Sequence, residues 1–133
     1  ACLRGLGDVY KRQEDKGSIA VVFPDLENCY TQGENMVDAL EMASDVLSSK
    51  LVFMEDNGEV PPKPTPVNEL KIEKGQYSSL VMADTMAYRK ANSTKAVKKT
   101  LTIPSWLNDI AEKQSVNFSQ VLQEALIKTL GIK

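Results

Sequence analysis

Lys99-Thr100-Leu101-Thr102-Ile103-Pro104 is the stretch that decides how the C-terminal part of the chain folds. Apolar and polar side chains alternate from Lys95 to the end of this stretch. The apolar set on one face is Val97, Leu101 and Ile103, and the polar set on the other is Lys98, Thr100 and Thr102. This alternation predicts a β-strand with one buried face. Pro104 ends the strand because proline cannot donate a ladder hydrogen bond.

Two amphipathic helices are predicted after this strand. Ser105 is placed to cap the first helix, whose apolar face carries Trp106, Leu107, Ile110 and Ala111. Asn117 is placed to cap the second, with Gln120 at the capping-box position. The apolar stripe of the second helix comprises Phe118, Val121, Leu122, Ala125, Leu126 and Leu130. The predicted order of this C-terminal unit is therefore strand, helix, helix.

Residues 95–133 are too few to bury these apolar faces alone. Units below about 40 residues usually need disulfides, a metal ion or a partner subunit. The chain contains no His, and its two cysteines, Cys2 and Cys29, lie outside this unit. A single strand also needs a partner for its backbone groups. We therefore predict a homodimer in which the same strand of two copies pairs across a two-fold axis, and a tetramer remains open.

Composition excludes several classes of function. The 133 residues include no His, which removes Ser-His and Cys-His nucleophiles and the usual four-ligand zinc sites. We expect no cofactor and no metal. Cys2 and Cys29 are expected to be thiols in a reducing compartment. No apolar run approaches the roughly 20 residues of a membrane span, so we expect a cytoplasmic protein without a membrane partner.

Charge is distributed unequally along the chain. Residues 1–92 contain 10 Lys and Arg against 15 Asp and Glu, a net charge of −5, whereas residues 93–133 contain 6 against 3, a net charge of +3. An acidic half suits a cationic partner and a basic half suits a polyanion. Chance also produces unequal halves, so charge alone leaves both partners open.

The first half is predicted as an α+β unit. Residues 1–13 show neither helical nor strand periodicity, and we interpret them as a leader that need not be native. Residues 18–23 form a β-branched apolar run that stops at Pro24, which predicts a buried strand. Residues 26–34 are predicted to be a turn, in which Asn28 and Gly33 tolerate left-handed geometry.

A helix follows this turn. Asn35 is expected to cap a helix from about Met36 to Phe53. Its apolar stripe is predicted to comprise Val37, Leu40, Ala43 with Ser44, Leu47 and Leu51. The four prolines of residues 61–66 predict an extended loop. Residues 67–72 and 76–82 are predicted to form a hairpin, and residues 84–93 a weak helix.

The C-terminal unit resembles the ribbon-helix-helix DNA-binding fold. The resemblance rests on the 99–104 stretch, the short amphipathic helix and the Asn117-Phe118-Ser119 start of the longer helix. In that family the ribbon of the dimer enters the major groove of DNA, and its outward side chains read base edges. The matching outward residues here are Lys98, Thr100 and Thr102, which have suitable donors, acceptors and methyl groups. The family also implies phosphate contacts from the backbone amides of Asn117, Phe118 and Ser119. A solvated strand face and plain helix capping are the structural alternatives.

The first half resembles the N-terminal domain of HicB-type antitoxins. The matching residues are Val22-Phe23-Pro24-Asp25-Leu26, then Cys29, Thr31, Gly33-Glu34, and a helix that carries Asp38-Ala39-Leu40. The proline-rich loop and the C-terminal unit follow in the order of that family. Two departures are Glu27-Asn28, where Pro-Gly is common, and the leader, which stands where the family has its first strand. The sheet is therefore expected to lack or replace one strand.

This resemblance implies a type II antitoxin with three segments: a leader at 1–13, a toxin-binding domain of partial ribonuclease-H-like fold at 14–90, and a ribbon-helix-helix domain at 95–133. The partners it implies are a small basic mRNA-cleaving toxin of the HicA type, operator double-stranded DNA and a second copy of the chain. It implies that the protein represses its own operon and is not an enzyme. The toxin-contacting residues cannot be assigned from the sequence.

Two other functions are weighed against this one. A ribbon-helix-helix regulator whose N-terminal domain senses a ligand or another protein would leave the same C-terminal pattern. A metal-dependent nuclease would use Asp25, Glu34 and Asp38, but such chemistry needs several carboxylates converging on metal ions. These three lie in a turn and the first helical turn, where acidic residues favour the helix dipole. Cys29 is interpreted as a small buried apolar group rather than a nucleophile.

Overall fold

The computed structural model describes residues 6–12 and 17–132. Within these ranges the protein contains a short antiparallel sheet of four strands and four α-helices, so the predicted α+β class is confirmed. The chain divides into two compact units, one that runs to Lys95 and one that begins at Ala96. None of the described helices is long and apolar enough to cross a bilayer.

The sheet belongs to the N-terminal unit. Its strands are β1 (Leu6–Arg12), β2 (Ile19–Val22), β3 (Tyr30–Gly33) and β4 (Gln76–Val81). Their order is β3-β2-β1-β4, and every neighbouring pair is antiparallel. The two edges of the sheet are therefore β3 and β4, and β2 confirms the strand predicted before Pro24.

Strand β1 corrects the interpretation of residues 1–13 as lacking strand character. Tyr10 pairs with Val21 of β2 and with Tyr77 of β4, so β1 lies inside the sheet. The sequence of β1 lacks clear alternation of apolar and polar residues. Backbone pairing with a strand on each side holds β1 in the sheet. The first strand expected from the resemblance is thus present. The remaining residues of the proposed leader, 1–5 and 13, lie outside the described residues, as does Cys2.

The turn after β2 is shorter than predicted, because residues 30–33 form strand β3. Asn28 adopts the left-handed geometry expected for it, with φ of 54°. Gly33 serves a different purpose, since it is buried against the start of the next helix. A Cβ at Gly33 would lie 2.5 Å from Cα of Ala39. The sequence therefore has glycine here because two backbones approach closely.

Helix α1 (Met36–Asp56) packs across the sheet and supplies five of the eleven buried apolar residues of the core in the described chain. Asn35 caps it as predicted, because its Oδ1 accepts a hydrogen bond from the Asp38 backbone N–H at 3.0 Å. The apolar side chains that α1 buries are Ala39, Ala43, Leu47, Leu51 and Met54. Predicting Val37 and Leu40 as members of this stripe was wrong, since they are 67% and 37% exposed. The close approach of Gly33 selects the small Ala39 instead.

The predicted hairpin of residues 67–72 with 76–82 is wrong. Val67–Glu69 forms a single 3₁₀ turn, and β4 pairs with β1 instead. The proline-rich loop before this turn is held by Asp25, whose carboxylate accepts hydrogen bonds from the Thr65 backbone N–H at 2.8 Å and from the Thr65 hydroxyl. This clamp joins residues 40 positions apart and ties the loop to the turn after β2.

Helix α2 (Thr85–Asn92) packs against α1 and confirms the weak helix predicted for this segment. Asp84 caps it through a hydrogen bond from the Ala87 backbone N–H at 2.9 Å. Arg89 bonds the carboxylates of Glu55 and Asp56 at 3.2 and 2.6 Å, and these carboxylates raise the pKa of Arg89. The Ser44 hydroxyl of α1 also donates to the Met82 carbonyl, just before α2, at 2.7 Å. Contacts with α1 therefore hold both the start of α2 and its later residue Arg89.

The C-terminal unit contains α3 (Ser105–Lys113) and α4 (Phe118–Leu130). Before α3, residues 93–104 form no strand ladder with any described part of the chain. The strand predicted there is therefore not formed in the single chain, in which residues 93–104 have no described strand beside them to pair with. Predicting Ser105 as the cap of α3 was also wrong. Pro104 is the N-cap, without a side-chain hydrogen bond, and Ser105 is the first helical residue.

Candidate functional site

A groove of about 500 Å³ lies in the C-terminal unit between α4 and the segment that precedes α3. Its lining includes Lys99, Leu101 and Ile103 of that segment, and Phe118, Val121, Leu122 and Ala125 of α4. Leu101 and Ile103 of the predicted apolar face therefore lie on the side of α4 together with Lys99, whereas Val97 is absent from the lining and is 77% exposed. This side is the one predicted to be buried.

The polar residues of the segment lie outside this groove. Lys98, Thr100 and Thr102 are all exposed and contribute nothing to its lining. Alternation along extended backbone brings the three to one side, as predicted from the sequence. Together they present one ammonium group and two hydroxyls that donate, accept or offer a methyl group.

The start of α4 carries the other predicted site residues, Asn117, Phe118 and Ser119. Asn117 caps the helix, since its Oδ1 accepts from the Gln120 backbone N–H at 3.1 Å. The capping box is only half formed, because the Gln120 side chain donates to Glu124 at 2.9 Å rather than back to the cap. Phe118 and Ser119 line the groove and are exposed, and their backbone N–H groups belong to the first turn of α4. Such groups in the first turn have no intrahelical acceptor and lie at the positive end of the helix dipole.

Apolar side chains of the C-terminal unit are left uncovered within the chain. No residue described between Ala96 and Ile132 is buried. Trp106 is 63% exposed, Leu101 63% and Leu130 66%. Exposed large apolar side chains are common singly, but a unit in which no described residue is buried leaves its apolar faces open to a partner.

Two of the three carboxylates considered for a nuclease, those of Asp25 and Asp38, have structural roles, and Glu34 takes part through its backbone N–H. Asp25 clamps Thr65, and Asp38 accepts from the Glu34 backbone N–H at 2.8 Å through Oδ2. The described residues contain no group of three or more His, Cys, Asp or Glu placed to hold a metal ion. Cys29 is 3% exposed and belongs to the hydrophobic core, in agreement with its interpretation as a buried apolar group.

A second groove, between α1 and α2, was missed by sequence reasoning. It has a volume of about 400 Å³ and is lined by residues that include Glu41, Asp45 and Asp84. One signal was visible in the sequence. Between residues 17 and 49 there are six Asp and Glu and no Lys or Arg. This stretch therefore accounts for the negative charge of the first half.

Comparison with solved structures finds similar chains. A chain of a structure titled a toxin–antitoxin complex from Streptococcus pneumoniae is 26% identical, with a TM-score of 0.64, and the match covers 96% of this chain and 99% of that one. The crystal structure of the Burkholderia pseudomallei antitoxin HicB is 19% identical, with a TM-score of 0.54 and coverage of 96% and 98%. The crystal structure of antitoxin HicB3 is 22% identical, with a TM-score of 0.50 and coverage of 95% and 97%. The last two similarities show a shared fold.

Comparison with curated proteins finds no match. A family model described as the HicB-like antitoxin of bacterial toxin–antitoxin systems matches residues 9–125, which span both units of the chain. The chain therefore belongs to the HicB-like antitoxin family.

Proposed function

We propose that this protein binds and neutralises a HicA-type mRNA interferase through its N-terminal unit, and represses its own operon by binding DNA through a dimeric C-terminal unit. The observation that carries this proposal is the family match over residues 9–125. The match runs without interruption from the sheet into α4, so it covers the units to which both activities are assigned. The proposed boundaries are 14–90 for the toxin-binding domain, of partial ribonuclease-H-like fold, and 95–133 for the DNA-binding domain.

The antitoxin activity is supported by similarity and by charge. The similar chain from Streptococcus pneumoniae comes from a structure titled a toxin–antitoxin complex, and 99% of that chain is covered. The negative charge of the N-terminal half, −5 over residues 1–92, is suited to a basic toxin. The carboxylates of Asp25 and Asp38, two of the three that a nuclease would need, accept hydrogen bonds from the loop and from the start of α1.

Dimerisation is supported by the uncovered apolar surface of the C-terminal unit. Leu101 and Ile103 are 63% and 41% exposed although they line an apolar groove with α4. Burying such side chains stabilises an interface by about 25 cal/mol for each Å² removed from water. A second copy satisfies the backbone of residues 95–103 and covers these side chains at once. The dimer is then of the ribbon-helix-helix type.

DNA recognition is supported by the polar side of the same segment. In the dimer, Lys98, Thr100 and Thr102 of both copies lie on the outer face of the ribbon. The Lys98 ammonium donates to guanine O6 and N7, and the threonines bond base edges or contact the thymine methyl. The first-turn N–H groups of Phe118 and Ser119 bind phosphate and fix the register.

The DNA-binding half is tested with a double variant, Lys98→Ala with Thr100→Ala. Each lost base contact costs about 1–3 kcal/mol, so operator affinity should fall by about tenfold or more. The matched control is Lys128→Ala with Thr129→Ala, which removes the same side chains from the end of α4. Binding to fragments of the upstream operator region is measured at fixed salt. Equal affinities for the two double variants would contradict the assignment of the ribbon face.

The antitoxin half is tested by co-expression with the protein encoded by the adjacent small reading frame. The proposal predicts a stable complex that survives purification, and predicts that the Lys98→Ala and Thr100→Ala variant forms it as well. If no partner is bound, the N-terminal unit is better explained as a sensor domain of a DNA-binding regulator.

A further inference from the structure

The groove between α1 and α2 combines carboxylates with an apolar wall. Its acidic side chains are Glu41 and Asp45 on α1 and Asp84 before α2. Its wall on α2 is formed by Ala87, Tyr88 and Ala91. Both helices belong to the N-terminal unit and are fixed by the Arg89 contacts to Glu55 and Asp56. The groove is therefore a built feature of this unit.

No positively charged side chain of the described residues lines this groove beside its carboxylates. Lys and Arg are absent from the groove lining in the described chain. The next lysine along α1 is Lys50, which lies beside Phe53, 5.9 Å from the ring centroid. On α2, Arg89 is paired with Glu55 and Asp56, and Lys90 stands outside the groove lining. Glu41 and Asp45 form no ion pair with any described residue, whereas Glu55 and Asp56 at the end of the same helix do. The groove consequently has a negative potential that a partner can neutralise.

Exposed apolar residues continue the groove toward the start of α1. Val37, Glu41, Ser44 and Ser48 recur at spacings of four, three and four, so they share one side of the helix. Val37 is 67% exposed and Leu40 is 37% exposed. A basic segment fits this combination because the aliphatic stems of Lys and Arg pack on apolar surface while their charged ends reach carboxylates.

We propose that the α1/α2 groove and the exposed Val37 and Leu40 beside it are the docking surface for a basic segment of the toxin. The inference rests on the proposed antitoxin function and deepens it, because it names the surface that contacts the partner. Charge complementarity selects this occupant: the groove has three carboxylates and no cation among the described residues that line it. Under the proposed function the partner is a small basic toxin, whose cations these carboxylates would attract.

The test uses the full chain and the protein encoded by the adjacent small reading frame. Glu41→Lys with Asp45→Lys reverses the charge of the groove without altering a buried side chain. The matched control is Glu69→Lys with Glu73→Lys, which has the same spacing and net charge change at exposed positions outside the groove. Affinity is measured by calorimetry, and circular dichroism checks that each variant folds.

The groove variant should weaken toxin binding by about tenfold or more, and the control by less than about threefold. Ala91→Arg provides a second variant, since it fills the groove from an exposed position of α2 and introduces a residue with good helix propensity. It should weaken binding to a similar extent.

Binding by the wild-type protein distinguishes a failure of the antitoxin function from a failure of the docking surface. If the wild type binds no partner, the antitoxin function itself fails. If the wild type binds and both groove variants bind equally well, the docking surface is wrong while the antitoxin function stands.

Discussion

Gly33→Ala should destabilise the N-terminal unit, because the added methyl group meets the backbone of α1. The new Cβ would lie 2.5 Å from Cα of Ala39, 2.8 Å from the carbonyl carbon of Asp38, and closer still to the Ala39 nitrogen. Carbon atoms in contact are normally about 3.5–4.0 Å apart, so the start of α1 must retreat from β3 by about 1 Å. Backbone atoms cannot rotate away as a flexible side chain could.

The expected loss of unfolding free energy follows from two contributions. Forcing an extra methyl group into a packed region costs about 1–3 kcal/mol. Displacing the start of α1 also disturbs the Asn35 cap, which is worth about 1 kcal/mol. We therefore expect a loss of about 2–4 kcal/mol, a large fraction of the roughly 5–15 kcal/mol that stabilises a typical domain.

Urea unfolding followed by far-ultraviolet circular dichroism measures this loss. The control is Gly58→Ala, because Gly58 has φ of 68° and an added methyl group there would meet no described atom within 4 Å. It should lose only the left-handed backbone preference, about 1 kcal/mol. If Gly33→Ala cost no more than Gly58→Ala, the close approach of β3 and α1 would be refuted.

Three further substitutions test other contacts. Asp25→Ala removes both hydrogen bonds to Thr65, so it should cost about 1–3 kcal/mol and speed proteolysis in the proline-rich loop, as measured by urea unfolding and limited proteolysis. Asn117→Ala removes the cap on the Gln120 N–H and should cost about 1 kcal/mol in thermal unfolding. Ser105→Ala should change stability by less than about 0.5 kcal/mol, because Ser105 caps no helix; a cost equal to that of Asn117→Ala would contradict the observed start of α3.

Local signals in the sequence predicted the helices and β2 well. Asn35 and Asn117 cap their helices as expected, since capping depends on residues three positions apart. Strand β2 was found because its apolar run ends at Pro24. Each of these features is decided by a few neighbouring residues.

Features that depend on distant residues were missed. Strand β1 is held by β2 and β4 on either side, and its own residues show no clear period. The proline-rich loop is held by Asp25, 40 residues before Thr65, which no local pattern indicates. Gly33 was interpreted as a turn residue because sequence cannot show which backbone lies beside it.

The same difference between local and distant signals holds for the candidate sites. Alternation predicted that Lys98, Thr100 and Thr102 lie apart from the apolar residues of their segment, and the groove lining agrees. Their contact with DNA stays a prediction. The α1/α2 groove was not predicted, because Glu41 and Asp84 are brought together only by the packing of two helices.

A titration tests whether this protein silences an RNA-cleaving partner. The protein encoded by the adjacent small reading frame is incubated with RNA while increasing amounts of this protein are added. We expect RNA cleavage by the partner alone, and we expect it to disappear near an equimolar ratio of this protein to the partner. Cleavage that persists at a molar excess of folded protein would contradict it.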